Sequence, residues 1–355
     1  MRLHEDKTQF VNIIRKINRQ EHIRRDVLEK DYYVTLFLKE LSEKQKTGLK
    51  AYFRGGTALY KALKQMRRFS EDIDLTVNTQ ELSRTQSAKT LKEASKRYKT
   101  LPLIEDRGVT NRSEIIAYYD YSPVTEVDLN DSLERFGKVM VEATSFTISE
   151  PVEEIMVSSL IYDHATTEQQ KVLEEVYGMG PFPVQTITLE RAFIDKLFAA
   201  EAYIRKSDDP NRCVECGKHL YDLHVLLGEE RIQDLIRDAA AVRHLVAIRF
   251  EEEKGRHGGI PYVLPSEFEL FTTAPGNRNL AAGYERMQRI YVFDNRDRVE
   301  LSEALDSLRK IEQKLKENEG WIRFDYPTME DKIAAKQQKL EIKSETETKK
   351  SELER

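Results

Sequence analysis

Gly55-Gly56-Thr57, behind Ala51-Tyr52-Phe53-Arg54 and ahead of Asp72-Ile73-Asp74, is the stretch on which the fold turns. Ala51–Arg54 reads as a short strand and the two glycines as a tight turn. Thr57 reads as the N-cap of a helix striped by Leu59, Leu63 and Met66. Ile73, Leu75 and Val77 then alternate with Asp72, Asp74 and Thr76, the period of a strand buried on one face. Residues two apart on a strand point the same way, so Asp72 and Asp74 present two carboxylates to one spot while Ile73 and Leu75 anchor the strand. Close carboxylates repel one another unless a cation sits between them. Magnesium suits such a site, because it takes a few carboxylate ligands and completes its shell with substrate phosphates. The glycines let backbone N–H groups approach a triphosphate, and the helix start behind them favours an anion. Either half alone is ordinary, a glycine turn or a polar strand face. Together they describe a phosphate-and-metal site.

Outward from this centre, the first 48 residues read as helices. Phe10, Val11, Ile13, Ile14 and Ile17 repeat at helical spacing. A second stripe runs through Val27, Leu28, Tyr32, Tyr33, Leu36, Phe37 and Leu41. Residues 82–100 form a Lys-rich exposed helix, and strands recur at Glu114–Tyr121, Lys138–Phe146 and Glu154–Leu160. From Leu189 the pattern is helical, with a Gly- and Pro-bearing connection at 257–283 and a densely charged tail at 329–355, solvated or disordered. The expected division is therefore 1–48 N-terminal helices, 49–185 core, 186–328 helical C-terminal domain and 329–355 tail.

The 355 residues are 39% hydrophobic and 34% charged, enough for an ordinary core. A net charge of −5 argues against coating nucleic acid through bulk charge, although 57 Lys and Arg residues leave room for a local basic face. No apolar run approaches the ~18 residues that span a bilayer, and the N-terminus lacks the apolar stretch of a secretory signal. A cytoplasmic protein without a membrane partner is expected. Two cysteines give no disulfide framework.

Phe53-Arg54-Gly55-Gly56-Thr57-Ala58-Leu59 and Arg68-Phe69-Ser70-Glu71-Asp72-Ile73-Asp74-Leu75 closely resemble the AbiEii/AbiGii-like toxin family. Leu28-Glu29-Lys30-Asp31-Tyr32-Tyr33-Val34-Thr35 looks like the helix that precedes that family's core, and the resemblance runs over residues 25–228. It implies an α+β fold: a polymerase-β-like nucleotidyltransferase core with a mixed, mostly antiparallel small sheet, followed by a helical C-terminal region. It also implies a toxin of a type IV toxin–antitoxin or abortive-infection system. Such a toxin, related to the MenT toxins, moves a nucleoside monophosphate from an NTP to RNA, with the tRNA 3′ end as acceptor and arrested translation as outcome. The expected partners are NTP, tRNA and an antitoxin encoded nearby. The expected cofactor is a pair of magnesium ions, with manganese as a substitute.

Thr188-Leu189-Glu190…Asp195-Lys196-Leu197 and His219-Leu220-Tyr221-Asp222-Leu223 match two later family segments, with Lys218-His219 in place of the family's Arg-Asp pair. By resemblance Lys196 contacts the triphosphate, and Asp222 steadies Lys196 or the acceptor. Leaving pyrophosphate needs positive charge, which supports the lysine; the plainer alternative is an ion pair of Lys196 with Asp195 or Glu190. A third carboxylate is expected on the neighbouring strand, where Lys138–Thr144 makes Glu142 the best match and Glu126 and Asp128 its competitors. The expected catalytic set is Asp72, Asp74, Glu142, Lys196 and Asp222. The first three hold metal, while Arg54, Gly55, Gly56, Thr57, Ser70 and Lys196 hold the nucleotide.

Arg54 and Arg68 flank the site and suit phosphate or base contacts. Lys61, Lys64, Arg67 and Arg68, with Lys89, Lys92, Lys96, Arg97 and Lys99, offer a positive track for an RNA backbone. On that reading, reversing Lys92, Lys96 and Lys99 to Glu weakens transfer to RNA; a solvated helix face is the plain alternative. Tyr118, Tyr119 and Tyr121 could stack on a base, although packing is their commoner use. Cys213, Cys216 and His219 suggest half of a zinc site, for which His224, His244 or His257 would have to supply the remainder. The rival functions are a non-catalytic NTP-binding sensor and a nucleotidyltransferase acting on protein or a small molecule. A glycosyltransferase, which also uses Asp-x-Asp, fits the glycine turn and Lys196 less well.

Overall fold

A computed structural model describes residues 1–64, 68–126, 135–254, 260 and 263–317. Two helices come first, α1 (Lys7–Glu21) and α2 (Arg25–Lys46), and then β1 (Ala51–Arg54), α3 (Gly55–Leu63), β2 (Ile73–Val77) and α4 (Arg84–Ser95). Strands β3 (Leu103–Thr110), β4 (Glu114–Asp120), β5 (Lys138–Thr144) and β6 (Val152–Val157) follow, then short α5 (Leu160–Asp163), α6 (Thr167–Glu175) and β7 (Phe182–Ile187). The remainder is helical: α7 (Leu189–Ile204), α8 (Pro210–Leu227), α9 (Glu230–Leu235), α10 (Ala239–Glu253), α11 (Glu269–Thr273), α12 (Arg278–Tyr291) and α13 (Leu301–Glu317).

The strands form one 7-stranded sheet in the order β3-β4-β5-β2-β1-β7-β6. Pairs β1–β7 and β2–β5 are parallel, and the other neighbours antiparallel. This is the α+β architecture with a small mixed sheet and a helical C-terminal region that the sequence implies. Strand alternation assigns each face. Phe53, Ile73, Leu75, Ala117, Tyr119, Val141 and Ala143 point into a core shared with α1, α2 and, through Leu91 and Ala94, α4. Arg54, Asp74 and Glu142 therefore point to the opposite face. There α7 and α8 close over one end of the sheet. Leu189, Phe193, Ile194, Leu197 and Phe198 are buried nearly all round α7, as expected of a helix held between a sheet and other helices. Behind α8 lies α12, close enough that a Cβ on Gly283 would sit 2.5 Å from that of Cys213.

Several sequence expectations change. Helix α3 begins at Gly55 with Arg54 as N-cap, so Thr57 lies inside its first turn. Gly55 has φ +80°, which lets the chain turn directly from strand to helix without a side-chain cap. Leu103–Thr110 and Phe182–Ile187 are strands that show no strict alternation. β3 is exposed at the sheet edge, whereas β7 is an interior strand. The third expected strand runs Val152–Val157, since Ser159 already caps α5. Within 257–283, α11 and the start of α12 replace a simple connection, because Phe268, Leu270 and Phe271 are buried and the N–H groups of Glu269 and Leu270 donate to the carboxylate of Glu201. Met66, Arg67, Asp128, His257 and the 329–355 tail lie outside the described residues.

Candidate active site

Local register builds the site. Arg54 on β1 is paired with Asp74 on β2, and Asp74 with Glu142 on β5, so three functional side chains stand in one row on one face. Asp72 lies just before β2, half-buried at the end of that strand. Asp74 presses against the glycine turn: a Cβ on Gly55 would fall 1.9 Å from its Oδ2. A Cβ on Gly56 would fall 2.7 Å from both Arg68 Nη2 and Ser70 Oγ. Both glycines are thus required by close approach. The Thr57 hydroxyl donates to Ser70 Oγ at 2.9 Å and ties the first turn of α3 to the chain entering β2. No side chain caps α3, which leaves its first N–H groups for an anion, and Gly55 and Gly56 line the cleft.

Helices α7 and α8 supply the opposite wall. Lys196 on α7 reaches neither Asp195 nor Glu190. Its Nζ lies 2.8 Å from Asp222 Oδ2 on α8, while Glu190 pairs with Arg231. Asp222, fully buried, also receives Arg68 in two-pronged fashion, Nε to Oδ1 at 2.6 Å and Nη2 to Oδ2 at 2.7 Å. Burial opposes the charge on Asp222, but Arg68 and Lys196 outweigh it and hold the carboxyl well below the usual range. Arg68 is accordingly a buried structural cation. It shapes Gly56 and fixes Asp222, and the expected phosphate or base contact is not its role. Asp195 instead belongs to a buried cluster with Arg191 at 2.9 Å and Arg249 at 3.4 Å. Arg54 stands 3.9 Å from that carboxylate, more loosely held and lining the cleft.

The cleft has a volume of about 240 Å³ and is lined by Arg54, Gly55, Gly56, Asp74, Glu142 and Lys196, with Thr144, Phe146 and Thr147 at one end. Burial, followed by the neighbouring Asp72 charge, pushes Asp74 up to about 6. Burial, followed by Asp74, pushes Glu142 up to about 7. Glu71 rises to about 7 through burial and Asp72, and Asp72 itself is raised by burial against the pull of Lys30. Close, buried acids oppose one another's ionisation, and a bound cation would relieve that repulsion. Among the described residues, no three His, Cys, Asp or Glu side chains converge tightly enough to hold a metal unaided. Magnesium takes one or two carboxylates and completes its shell with water and phosphate oxygens, and Asp74 with Asp72 or Glu142 fits that donor set.

Of the competitors for the third carboxylate, Glu126 is exposed and Asp128 lies outside the described residues, whereas Glu142 stands beside Asp74. Sequence reasoning missed Lys30 beneath Asp72. Its buried amino group donates to the carbonyls of Arg135 (3.0 Å) and Lys138. It also missed Lys218, whose charge reaches Asp72 and Asp74 and whose Nζ stacks 4.2 Å from the Tyr291 ring centre. A lysine buried at helical spacing in Leu28–Thr35 was the available signal for the first.

The proposed basic track does not survive as a track beside the pocket. Lys61 is buried against Asp31, Thr35 and the Ser158 carbonyl, and Lys64 bonds Asp163 at 2.9 Å. Helix α4 carries Lys89 and Lys92, with Lys96, Arg97 and Lys99 beyond its end, but it packs on the face opposite Asp74 and Glu142. Tyr119 and Tyr121 are core residues, Tyr121 stacking 4.1 Å from Tyr33, and only Tyr118 faces the carboxylate side. Both cysteines are buried in helix packing: Cys213 donates to the Ser207 carbonyl, and Cys216 lies 3.7 Å from the Ala200 carbonyl. His219 stacks on Tyr203 and lines the cleft instead.

Among the described residues, no helix is long and apolar enough to cross a membrane. Comparison with curated proteins returns no match. Comparison with family models gives one for residues 37–341, described as "Nucleotidyl transferase AbiEii toxin, Type IV TA system". That span takes in the glycine turn, the carboxylate row and both helices of the Lys196 wall. By that match, the chain belongs to the AbiEii nucleotidyl transferase toxin family of type IV toxin–antitoxin systems.

Proposed function

We propose that this nucleotidyltransferase moves a nucleoside monophosphate from an NTP to the 3′-terminal hydroxyl of an RNA, with tRNA as the acceptor that the family resemblance favours. The observation that carries this is the row Arg54, Asp74 and Glu142, facing a lysine held by a buried aspartate across a glycine-lined cleft. The N–H groups at the start of α3 and the Arg54 guanidinium bind the phosphates. Lys196 lies where charge builds on departing pyrophosphate, and Asp222 fixes its position. Asp72, Asp74 and Glu142 would hold two magnesium ions. When bound, these lower the pKa of the acceptor hydroxyl and neutralise the in-line transition state. The hydroxyl oxygen bonds to the α-phosphorus as the bond to the β-phosphate oxygen breaks. Its proton passes to a Glu142 carboxylate oxygen, and pyrophosphate leaves.

The test is incubation of the protein with magnesium, total RNA and each α-labelled NTP in turn. Label at the 3′ end of the small RNA fraction is the expected result. Lys196→Ala should slow it at least ~10²-fold, the scale of a lost transition-state charge contact. Label on protein or on a small molecule would replace the acceptor, and an absence of pyrophosphate release would leave an NTP-binding sensor. Strong expression should arrest bacterial growth, and an antitoxin encoded nearby should relieve it.

The acid cluster gives a second check, on the metal. Folded-state values of about 6 for Asp74 and about 7 for Glu142 lie above those of the unfolded chain. The folded state therefore holds extra protons, and stability is lost as pH rises through the interval from the unfolded values to about 7. Metal-free protein should show a falling Tm from pH 5 to pH 8. Magnesium with a non-hydrolysable NTP analogue should raise Tm more at pH 8 than at pH 5. An equal increment at both pH values would count against the carboxylates as ligands.

A further inference from the structure

The carboxylate row does not stop at Glu142. On β4, Ile116 is paired with Glu142, and on β3, Val109 is paired with Ile116. One row further along the same face, Tyr118 on β4 is paired with Met140 on β5. Helix α4 packs on β4 from the opposite side, against Ala117 and Tyr119. Ile116, Tyr118 and Met140 are consequently half-exposed, and Val109 is 39% exposed. The Arg107 guanidinium lies 4.7 Å from the Tyr118 ring centre, and Arg107 is itself exposed. A small apolar and aromatic surface thus adjoins Glu142, with Glu114 at its other edge on β4.

In-line transfer gives this surface a direction. Gly55, Gly56 and Lys196 gather on the β1 side of Asp74, where the leaving pyrophosphate is neutralised. The attacking hydroxyl must approach from the other side, and the sheet order places β5, β4 and β3 there. Building on the RNA-transfer reading above, we propose that the Tyr118–Arg107–Met140–Ile116 face is the acceptor platform, on which the unpaired bases at an RNA 3′ end stack. Tyrosine and the guanidinium plane both take a base face-on, whatever its identity. Glu105, Asp106, Asp120 and Glu114 on the same two strands outnumber Arg107, so stacking rather than attraction of phosphates must supply the hold. The occupant is therefore single-stranded rather than duplex.

The test uses the full chain without NTP and a 5′-fluorescent short single-stranded RNA, read by anisotropy. Tyr118→Ala should raise Kd roughly tenfold or more, and Tyr118→Phe should stay within about twofold of the parent, since the ring does the holding. Arg107→Ala, at an exposed edge position that leaves the core untouched, should also raise Kd. A blunt duplex of the same sequence should bind more weakly than the single strand. In transfer assays the Tyr118→Ala effect should fall on KM for RNA, with KM for NTP unchanged. If Tyr118→Ala and Arg107→Ala bind RNA as the parent does while the parent still labels RNA, the platform falls and the transferase assignment stands. If the parent binds no single-stranded RNA and labels only protein or a small molecule, the RNA acceptor falls and the platform with it.

Discussion

Asp74→Asn should reduce nucleotide transfer at saturating magnesium at least ~10³-fold, the upper range for loss of one electrostatic element of a transition-state site. It should do so without harming the fold. Asparagine keeps the size and one acceptor oxygen of a side chain that packs against the Gly55 backbone. The variant should in fact melt at a higher temperature than its parent in metal-free buffer at pH 8. Ionised Asp74 is opposed by burial and by Asp72, and a neutral amide removes that penalty. Asp72→Asn should lose activity to the same extent. Two measurements, turnover and a metal-free melting curve, check the claim together. Normal turnover in either variant would remove the carboxylate site from the chemistry, and a lower metal-free Tm would mean that Asp74 is structural.

The second large effect has the opposite character. Asp222→Asn should lose both activity and stability, with an expected cost of about 3–5 kcal/mol and a Tm lower by roughly 5–10 °C. The carboxylate is fully buried and compensates two cations, Arg68 through both oxygens and Lys196 through Oδ2. An amide cannot balance either charge. Loss should therefore extend past the rate to the melting temperature, unlike Asp74→Asn. Because Arg68 abuts Gly56, displaced guanidinium would also intrude on the glycine turn. Unchanged melting in Asp222→Asn would show that Arg68 and Lys196 find other partners, and the clamp would lose its structural weight.

The contrast shows what the sequence makes legible. Ile73 and Asp74 on an alternating strand, beside Gly55-Gly56, state their placement in local pattern, because strand alternation alone fixes where the side chains point. Glu142 is less legible: Lys138–Thr144 makes it the best match for a third carboxylate, but Glu126 and Asp128 compete until the strand register sets Glu142 beside Asp74. Strand β3 was not legible, since an exposed edge strand carries no buried stripe. Strand β7 was missed because Phe182-Pro183 masks an interior strand. The roles of Arg68 and Lys61 were misjudged for one reason. Each is a cation near the phosphate turn in sequence, and its partner, Asp222 or Asp31, is brought in by tertiary packing. Nothing within a helix turn of Lys61 announces that it will be buried. The lysines of α4 failed similarly: a solvated stripe is visible in sequence, but which face of the sheet its helix covers depends on the strand order.

The Asp222 clamp also bears on when, during its own synthesis, such a protein becomes active. The glycine turn and the carboxylates of β2 leave the ribosome well before α8, and Asp222 is separated from Arg68 by 154 positions. At about 5–20 residues per second, the stretch from Asp74 to Asp222 takes roughly 7–30 s to make. Through that interval Arg68 lacks its Asp222 partner, and Lys196, for most of it, does not yet exist. A chain that ends before α8 therefore carries Asp72 and Asp74 in a cleft without the Asp222 clamp. If the clamp is required for transfer, a chain truncated anywhere before α8 should be as inactive as one that is never made, which expression of such truncations would test.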